Sequence, residues 1–281
     1  MEVWEQLRQI EQLNQLRQNA DSSLGLIPTM GALHPGHLSL IERSRRTDQI
    51  VVVSIFVNPL QFAPHEDLAT YPRTLAQDLQ LCQQAGVDIV FVPDASQIWP
   101  TPNPTLVYPP PQLTTPLCGR SRPGHFIGVA TIVLKLLNLF QPNHAYFGQK
   151  DAQQLAIIQR LVQDLNLPVT IIPCPTYRDA QGLALSSRNQ YLTPSQRQIA
   201  PQIYAGLRQA QNCYRQGERQ AEALFQVVLE KLDPQFQVDY LELVDQNTLE
   251  KLGYVQPNAI LAIAVYLGST RLIDNIPLEQ N

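Results

Sequence analysis

Short apolar runs alternate with amphipathic segments over the first two thirds of the chain. The runs read LGLIP (24–28), QIVVVSIFV (49–57), VDIVFVP (87–93), HAYFG (144–148) and LPVTIIPCP (167–175). Their short length and β-branched residues predict buried strands. The segments 36–47, 73–85, 125–140 and 151–165 lie between them and predict helices. Strands that alternate with helices in this way predict a parallel sheet with right-handed crossovers.

The N-terminus and a proline-rich segment depart from this alternation. Apolar residues recur at roughly helical spacing in MEVWEQLRQIEQLNQLR, at Val3, Trp4, Leu7, Ile10, Leu13 and Leu16. This spacing predicts an amphipathic helix that packs on its own domain. The segment WPTPNPTLVYPPPQLTTP (99–116) has too many prolines for a helix and predicts an extended connection.

From about Thr193 the pattern changes to helices followed by longer strands. A Thr-Pro-Ser helix start introduces two predicted helices across 195–231. The segments 236–245, 259–268 and 270–276 predict antiparallel strands. We therefore predict an α/β chain, with a parallel-sheet domain over 1–182 and a smaller α+β domain over 183–281. The join is expected between 176 and 194.

Composition and charge narrow the possible functions. The chain of 281 residues has 20 Lys and Arg against 24 Asp and Glu, and it has no basic block, so nucleic acid is not expected as a partner. No apolar run approaches the ~20 residues of a membrane span, so no membrane association is expected. The four cysteines are scattered, without a C-x-x-C pair, which is typical of reduced thiols in a cytosolic protein.

The turn PTMGALHPGH (28–37) places two histidines between a predicted strand and its helix. Ligands of parallel sheets bind beyond the carboxyl ends of the strands, and a helix start favours phosphate. His34 and His37 add hydrogen-bond donors there, and Gly36 lets the backbone bend or approach a ligand closely. Two other interpretations stay open. One is a metal pair, although the i, i+3 spacing is unusual for zinc; the other is a core histidine, for one of the two.

Polar residues also follow later strands of the predicted sheet. Lys150 in GQKDAQQL (148–155) is a compact charge suited to phosphate, and Gln154 lies one turn inside the next helix. Asp151 also fits a helix cap. The segment LALSSRN (183–189) offers two hydroxyls and an arginine, although a helix cap with a surface arginine explains it as well.

Two further segments offer groups for a small polar substrate. NPLQF (58–62) contributes Asn58 and Gln61. SRPGHFIGV (121–129) contributes His125 and Arg122, whose guanidinium fork is suited to carboxylate or phosphate. The chain has no G-x-x-x-x-G-K-[ST] motif, no G-x-S-x-G motif and no G-x-G-x-x-G after a strand. The remaining interpretation is a nucleotide site built from His, Lys, Ser and Arg.

In this order, the motifs identify a family. PTMGALHxGH resembles the H-x-G-H turn of the nucleotidyltransferase superfamily. Together with NPxQF, YPR, RPGHFxGV, FGxKDxQQ, LSSRN and LIDN, it resembles the pantoate–β-alanine ligases, over about residues 24–192 and near the C-terminus. Pro35, Gln149 and Leu185 depart from residues common in that family, where an acidic residue, Glu and Met are frequent. None of the three removes a presumed catalytic group.

The resemblance implies a Rossmann-like first domain, a C-terminal domain that closes over the active site, and an ATP-dependent ligase. The carboxylate of (R)-pantoate would attack the α-phosphorus of ATP, with Mg²⁺ accompanying the triphosphate. β-Alanine would then attack the pantoyl adenylate, giving pantothenate, a coenzyme A precursor, and AMP. Homodimers are common in the family. Some members are fused to a cytidylate kinase, and no kinase P-loop occurs within these 281 residues.

The resemblance also implies roles for individual residues. His37 would stabilise the α-phosphate, and Lys150 would assist there, while His34 would act at the β- and γ-phosphates, each worth about 3 kcal/mol. Ser186 and Arg188 would complete the catalytic set around the phosphates. The implied nucleotide-binding residues are Met30, Gly31, Gly36, Gly148, Gln149, Asp151, Tyr177, Leu185 and Ser187. Those for pantoate are Gln61 and Gln154, with Asn58 and Arg122 as supports.

A reactive acyl adenylate must be kept from water. The polar segment APHEDLATYPR (63–73) lacks strand or helix periodicity, and we interpret it as a mobile lid or, equally, as a plain surface loop. Two functional alternatives also remain. One is another H-x-G-H adenylyltransferase, which would stop after transferring AMP, and the other is a protein that binds nucleotide without catalysis.

Overall fold

The computed structural model describes residues 1–13, 22–64 and 66–278. They form two compact units. The first unit comprises Met1–Pro110, Arg122–Gln149 and Ile157–Cys174, and the second comprises Pro111–Ser121, Lys150–Ala156 and Pro175–Asn281. Both units therefore combine separate stretches of chain, and 175–182 falls in the second. The division into independent domains over 1–182 and 183–281 therefore stays a prediction.

The first unit is built on a six-stranded parallel sheet, which confirms the predicted fold class. Its strands are β1 (Glu2–Trp4), β2 (Leu24–Thr29), β3 (Ile50–Ile55), β4 (Ile89–Phe91), β5 (His144–Gly148) and β6 (Thr170–Cys174). They lie in the order β1-β4-β3-β2-β5-β6. After β2, the chain adds β3 and β4 on one side of β2, and it later adds β5 and β6 on the other side. The carboxyl ends of β2 and β5 therefore mark the switch point at which such sheets bind ligands.

Helices connect these strands as the apolar spacing predicts. The four predicted helices are α1 (Pro35–Arg45), α2 (Leu75–Gln84), α6 (His125–Phe140) and α7 (Ala152–Asp164). Three single-turn helices were not predicted: α3 (Ala95–Ile98), and α4 (Pro111–Thr114) and α5 (Cys118–Ser121) in the second unit. Short 3-10 turns cover Leu7–Ile10, Pro59–Gln61 and Gln149–Asp151. The proline-rich segment has neither helix nor strand over 99–110, but it includes α4, because Pro111 stands where a helix tolerates proline.

The core of the first unit explains why its strands read as continuous apolar runs. Val51, Val52 and Val53 are all fully buried, because consecutive side chains point to opposite faces of a sheet that is covered on both sides. Helix α6 is buried on most of its surface as well, from Phe126 to Phe140, as its composition predicts.

The predicted N-terminal helix is wrong for the first residues. Glu2–Trp4 form β1, which pairs in parallel with β4 at the edge of the sheet, and Trp4 is only 1% exposed. Helical structure begins with the 3-10 turn Leu7–Ile10. Edge pairing has overridden a local helical pattern, which is a weak preference by itself. Leu16, part of that prediction, lies outside the described residues.

The second unit pairs helices with a three-stranded antiparallel sheet, as predicted. The strands β7 (Phe236–Asp245), β8 (Ala259–Leu267) and β9 (Thr270–Pro277) lie in sequence order. Over 194–229 the helices are α8 (Pro194–Ile199), α9 (Gln202–Arg215) and α10 (Ala221–Leu229), three where two were expected. Thr193 caps α8, and Pro201 separates α8 from α9, since proline donates no backbone hydrogen bond. Leu207, Leu224 and Ile263 lie in the shared core.

Within the described ranges, none of the helices combines the length and the apolar character needed to cross a membrane.

Candidate active site

The turn between β2 and α1 places both histidines at the start of a helix. His34 is the N-cap of α1, and its Nδ1 accepts a hydrogen bond from the Gly36 N–H at 3.1 Å. In return, the His34 N–H donates to Nδ1 of His37 at 3.3 Å, and the two rings lie 4.0 Å apart. A nitrogen that accepts carries no proton, so each neutral ring holds its proton on Nε2. The turn therefore fixes the tautomer that makes Nε2–H a donor.

A buried carboxylate holds the backbone just before these histidines. Gly31 and Ala32 have φ angles of +80° and +50°, and Asp78 on α2 accepts the N–H groups of Ala32 and Leu33 at 2.9 and 2.8 Å. A Cβ at Gly31 would lie 3.0 Å from a methyl group of Ile55, so both the positive φ angle and the limited space favour glycine at this position. Burial, and after it the charge of Asp78, raise the pKa of the Cys82 thiol on the same helix to about 12.

Gln61 lies in the 3-10 turn after β3, at the same end of the sheet. Its Nε2 is 2.9 Å from Sδ of Met30, and its Oε1 accepts from Nδ2 of Asn58 at 3.2 Å. Asn58 is 1% exposed, and it also donates to the Gly128 carbonyl at 3.1 Å and accepts from the Trp99 indole at 3.3 Å. Asn58 therefore orients the Gln61 amide, so that the Nε2 end of Gln61 remains the donor.

Arg122 lies beside the same turn, already engaged by a carboxylate. It forms a bidentate pair with Glu66, at 2.5 and 2.9 Å, and its Nη1 is 3.0 Å from Nε2 of His125. Nδ1 of His125 lies 2.7 Å from the Gln61 carbonyl oxygen. Burial alone would raise the pKa of Glu66, but the hydrogen bonds and charge of Arg122, with smaller contributions from Ala63 N–H and His125, lower it. The pair ties segment 63–73 to the start of α6.

The end of β5 completes the switch point within the first unit. Gly148 is the last residue of β5, which pairs directly with β2, and a Cβ added there would meet nothing within 4 Å. Gln149 follows in the 3-10 turn. The first unit thus places one group of predicted residues at the carboxyl ends of its strands: Met30, Gly31, His34, Gly36, His37, Asn58, Gln61, Gly148 and Gln149, with Arg122 at the start of α6.

The second unit contains the remaining predicted residues. Lys150 Nζ lies 3.8 Å from the Asp151 carboxylate, and the Lys150 carbonyl accepts from Nδ2 of Asn275 at 3.0 Å. Asp151 closes the 3-10 turn Gln149–Asp151, directly before α7. Gln154 is half-buried on α7. The neighbouring Gln153 is instead buried and bonded to three backbone groups of 113–118.

The LSSRN segment forms its own turn in this unit. Ser186 caps the 3-10 turn Ser187–Tyr191, and its Oγ accepts from the Arg188 N–H at 3.3 Å. The Leu185 N–H donates to the Tyr177 carbonyl at 3.0 Å, and Tyr177 is 47% exposed. The predicted helix cap is therefore present, and it orients Ser186, Ser187 and Arg188 together.

Several residues at these sites were not predicted. Glu66 and Trp99 form hydrogen bonds with Arg122 and Asn58 of the predicted set. Asp78 instead accepts from the N–H groups of Ala32 and Leu33, just before His34. Gly128 approaches the Pro59–Gln61 turn so closely that a Cβ would lie 2.3 Å from the Leu60 carbonyl oxygen. YPR, RPGHFxGV and NPxQF contain or flank most of these positions, but the sequence does not indicate which loops meet in space.

Protein side chains alone offer no evident metal centre. Among the residues that the structure describes, no group of three or more His, Cys, Asp or Glu side chains is arranged to hold a metal ion.

Comparisons with known proteins agree with these motifs. The family model for pantoate-beta-alanine ligase matches residues 2–277. The bifunctional pantoate ligase/cytidylate kinase of Synechococcus elongatus is 54% identical over 278 residues, which is 98% of this chain and 53% of that protein. The protein of the same name from Thermosynechococcus vestitus is 57% identical over 263 residues, 92% of this chain and 51% of its own length. The chain thus spans about half the length of the curated relatives it matches.

Solved structures extend the similarity to the fold. Pantothenate synthetase from Thermus thermophilus shares 41% identity and a TM-score of 0.93, covering 100% of both chains. The pantoate-beta-alanine ligase of Francisella tularensis, in complex with beta-gamma ATP and beta-alanine, shares 37% identity and a TM-score of 0.82, over 100% of this chain and 99% of that one.

Proposed function

The chain belongs to the pantoate–β-alanine ligase family, and on that premise we propose that it condenses (R)-pantoate with β-alanine, using ATP. The products are pantothenate, AMP and diphosphate. In the structure, the His34–His37 turn supports the proposal, since it presents two Nε2–H donors at the start of α1, at the point where the strand order of the sheet reverses. Phosphate is the ligand class that such a helix start favours.

The first step needs alignment more than a base. A pantoate carboxylate oxygen forms a bond to the α-phosphorus, the bond to the bridging oxygen breaks, and diphosphate leaves. The nucleophile is already ionised, so no proton has to be removed. The two anions must instead be held together against their repulsion, which requires donors and positive charge. We assign that stabilisation at the α-phosphate to His37, with Lys150 assisting, and assign His34 to the β- and γ-phosphates.

The second step forms the amide. The amine of β-alanine attacks the acyl carbon of pantoyl adenylate, AMP leaves, and the amine loses a proton. The adenylate hydrolyses if water reaches it, so exclusion of water is part of the function. Segment 63–73 fits that task as a lid, and the Glu66–Arg122 pair provides a contact that holds it down. Faster hydrogen exchange in 66–73 without ligand than with ATP and pantoate supports the lid, and equal rates contradict it.

Other residues of the predicted set follow the resemblance. We propose that Ser186 and Arg188 bind phosphate oxygens, and that Gln61 and Gln154 bind the hydroxyl and carboxylate groups of pantoate. Asn58 supports Gln61, in keeping with its internal hydrogen bonds, and Arg122 supports the same turn. The nucleotide would contact Met30, Gly31, Gly36, Gly148, Gln149, Asp151, Tyr177, Leu185 and Ser187.

Mg²⁺ fits this scheme as a companion of the substrate. The ion usually keeps several waters and binds through one or two carboxylates plus substrate phosphates, so it needs no cage of protein ligands. The Asp151 side chain, next to Lys150, is 47% exposed, and its carboxylate is a candidate ligand for the ion. When bound, Mg²⁺ would neutralise charge on the triphosphate.

We further propose a cytoplasmic homodimer, as the resemblance implies. Light scattering after size exclusion tests the homodimer, because a single species of twice 31.6 kDa is expected for the chain.

A product assay tests the proposed function. With ATP, Mg²⁺, pantoate and β-alanine, stoichiometric AMP and pantothenate are expected, and AMP should not accumulate when either pantoate or β-alanine is omitted. If the end product retains the nucleotide, the chain is an adenylyltransferase of another kind, and the ligase proposal is wrong. His37→Ala should lower kcat about a hundredfold, as loss of one transition-state donor does. His144→Gln, a histidine at the opposite end of β5, is the matched control.

A further inference from the structure

Asp78 is a buried carboxylate whose partners are almost entirely backbone. It is 1% exposed, and it accepts from the N–H groups of Ala32 and Leu33 and from the Thr74 hydroxyl at 3.2 Å. Among the ion pairs between described residues, none includes Asp78. A buried charge is tolerated only when hydrogen bonds compensate it. Here the compensation comes from a turn 45 residues away in sequence.

The turn that Asp78 holds has an unusual backbone. Gly31 and Ala32 both have positive φ, which is rare for alanine, so the turn persists only where its surroundings determine it. Successive N–H groups in such turns form a concave site for an anion. In this molecule the anion in that site is a side chain of the protein itself. A triphosphate at the switch point therefore does not use the N–H groups of Ala32 and Leu33.

A series of hydrogen bonds connects Asp78 with the two histidines. Leu33 N–H donates to Asp78, the next residue's N–H donates to Nδ1 of His37, and Gly36 N–H donates to Nδ1 of His34. The direction of both Nε2–H donors thus depends on a chain of contacts that begins at a carboxylate on α2.

We infer that Asp78 is a positioning residue for the phosphate-binding histidines. It occupies the anion site of the turn, and so it directs the phosphates to the two imidazoles. This role rests on the proposed function, but the geometry predicts an effect on the histidines even without substrate. A merely structural carboxylate would change stability and leave the two rings unaffected.

Asp78→Asn is the direct test, because it keeps the shape and replaces one accepting oxygen with an NH₂ group that cannot accept. Below its unfolding temperature, we expect kcat to fall ten- to a hundredfold, with KM for pantoate within twofold. In ¹⁵N spectra of histidine-labelled protein, His34 and His37 should lose the pattern of an accepting Nδ1 and a protonated Nε2. These spectra need no turnover, so they test the inference even if the ligase assay fails.

Asp48→Asn is the matched control, since Asp48 is a second buried carboxylate of the first unit. It accepts from the Tyr146 and Ser44 hydroxyls and pairs with His144, at the other end of α1. It should lower the unfolding temperature while kcat stays within about twofold. If Asp78→Asn behaves in the same way, with unchanged signals of the two histidines, the inference is wrong.

Thr74 provides a second route if Asp78→Asn does not fold. Thr74→Val removes the hydroxyl that orients the carboxylate, and Thr74→Ser keeps it. We expect Thr74→Val to lower kcat about threefold and to shift the histidine spectra in the same direction, with Thr74→Ser close to wild type. Equal kcat and equal histidine spectra for the two variants would overturn the role of Asp78.

Discussion

A single added methyl group at Gly128 should disturb the Gln61 turn. Gly128 is the fourth residue of α6, and its carbonyl accepts from Asn58. An ideal Cβ at this position would lie 2.3 and 2.4 Å from the carbonyl oxygen and carbon of Leu60 and 2.7 Å from the Gln61 nitrogen. All three atoms belong to the main chain, so no side-chain rotation relieves the clash. The 3-10 turn Pro59–Gln61 and α6 would have to separate.

The size of the effect follows from that geometry. Ordinary van der Waals contact begins at 3.4 Å, so the turn must move by about 1 Å. Gly→Ala in a helix normally stabilises by about 0.8–1 kcal/mol, whereas overpacking costs about 1–3 kcal/mol. We therefore expect the free energy of unfolding to fall in Gly128→Ala instead of rising. A displacement of about 1 Å at a substrate-positioning residue lowers activity by up to a hundredfold.

Steady-state kinetics and thermal unfolding together measure this prediction. For Gly128→Ala we expect a higher KM for pantoate and a lower kcat, with KM for ATP within about twofold, because the displaced residue is Gln61, which we propose binds pantoate. Gly253→Ala is the control, since a Cβ at Gly253 meets nothing within 4 Å and its φ is not positive. If Gly128→Ala unfolds at the wild-type temperature or above, with unchanged kcat/KM, the close approach does not constrain the turn and the reasoning is wrong.

Three further changes test the surrounding contacts. Glu66→Gln should lower the free energy of unfolding by about 1.5–3 kcal/mol at pH 7, because the pair with Arg122 is lost. Since the pKa of Glu66 is lowered in the folded state, the difference from wild type in urea unfolding should shrink as the pH falls below 4.5, the ordinary pKa of the group, and a constant difference contradicts this. Trp99→Phe should raise KM for pantoate a few-fold, without changing KM for ATP, because it removes one of the hydrogen bonds that orient Asn58; equal changes in both KM values argue against orientation of the Gln61 amide. Tyr146→Phe should lower the free energy of unfolding by about 1.5–3 kcal/mol, because its hydroxyl donates to a buried carboxylate, and an unchanged unfolding curve contradicts that contribution.

The order of strands and helices could be predicted from the sequence because each buried element has its own periodicity. Val51–Val53 are buried on both faces of the sheet, and such strands need a continuous apolar run. The N-terminus could not be predicted in this way. Val3 and Trp4 recur at helical spacing, but they pair with β4, a contact that is 87 residues distant for both residues and invisible to local patterns.

The chemical groups of the candidate site could be predicted, but not their supports. The motifs identify His34, His37 and Gln61 by residue type and position after strands. Asp78 follows a different strand from the turn that it holds, and only the folded chain brings the two together. Two adjacent glutamines, Gln153 and Gln154, look equivalent in sequence, yet only Gln153 is buried with three backbone hydrogen bonds.

In the proposed reaction the nucleophile is already ionised, which places an unusual demand on the protein. The reaction requires no proton transfer in its first step, so catalysis depends on where the donors point and on how little they move. That demand explains why polar groups in the first unit bind the backbone near the motif residues. Asp78 holds the turn before the histidines, and His125 lies within hydrogen-bonding distance of the Gln61 carbonyl. If positioning dominates, variants at these supports should lower kcat or pantoate affinity by factors approaching those of the motif residues, although every side chain proposed to bind phosphate is still present.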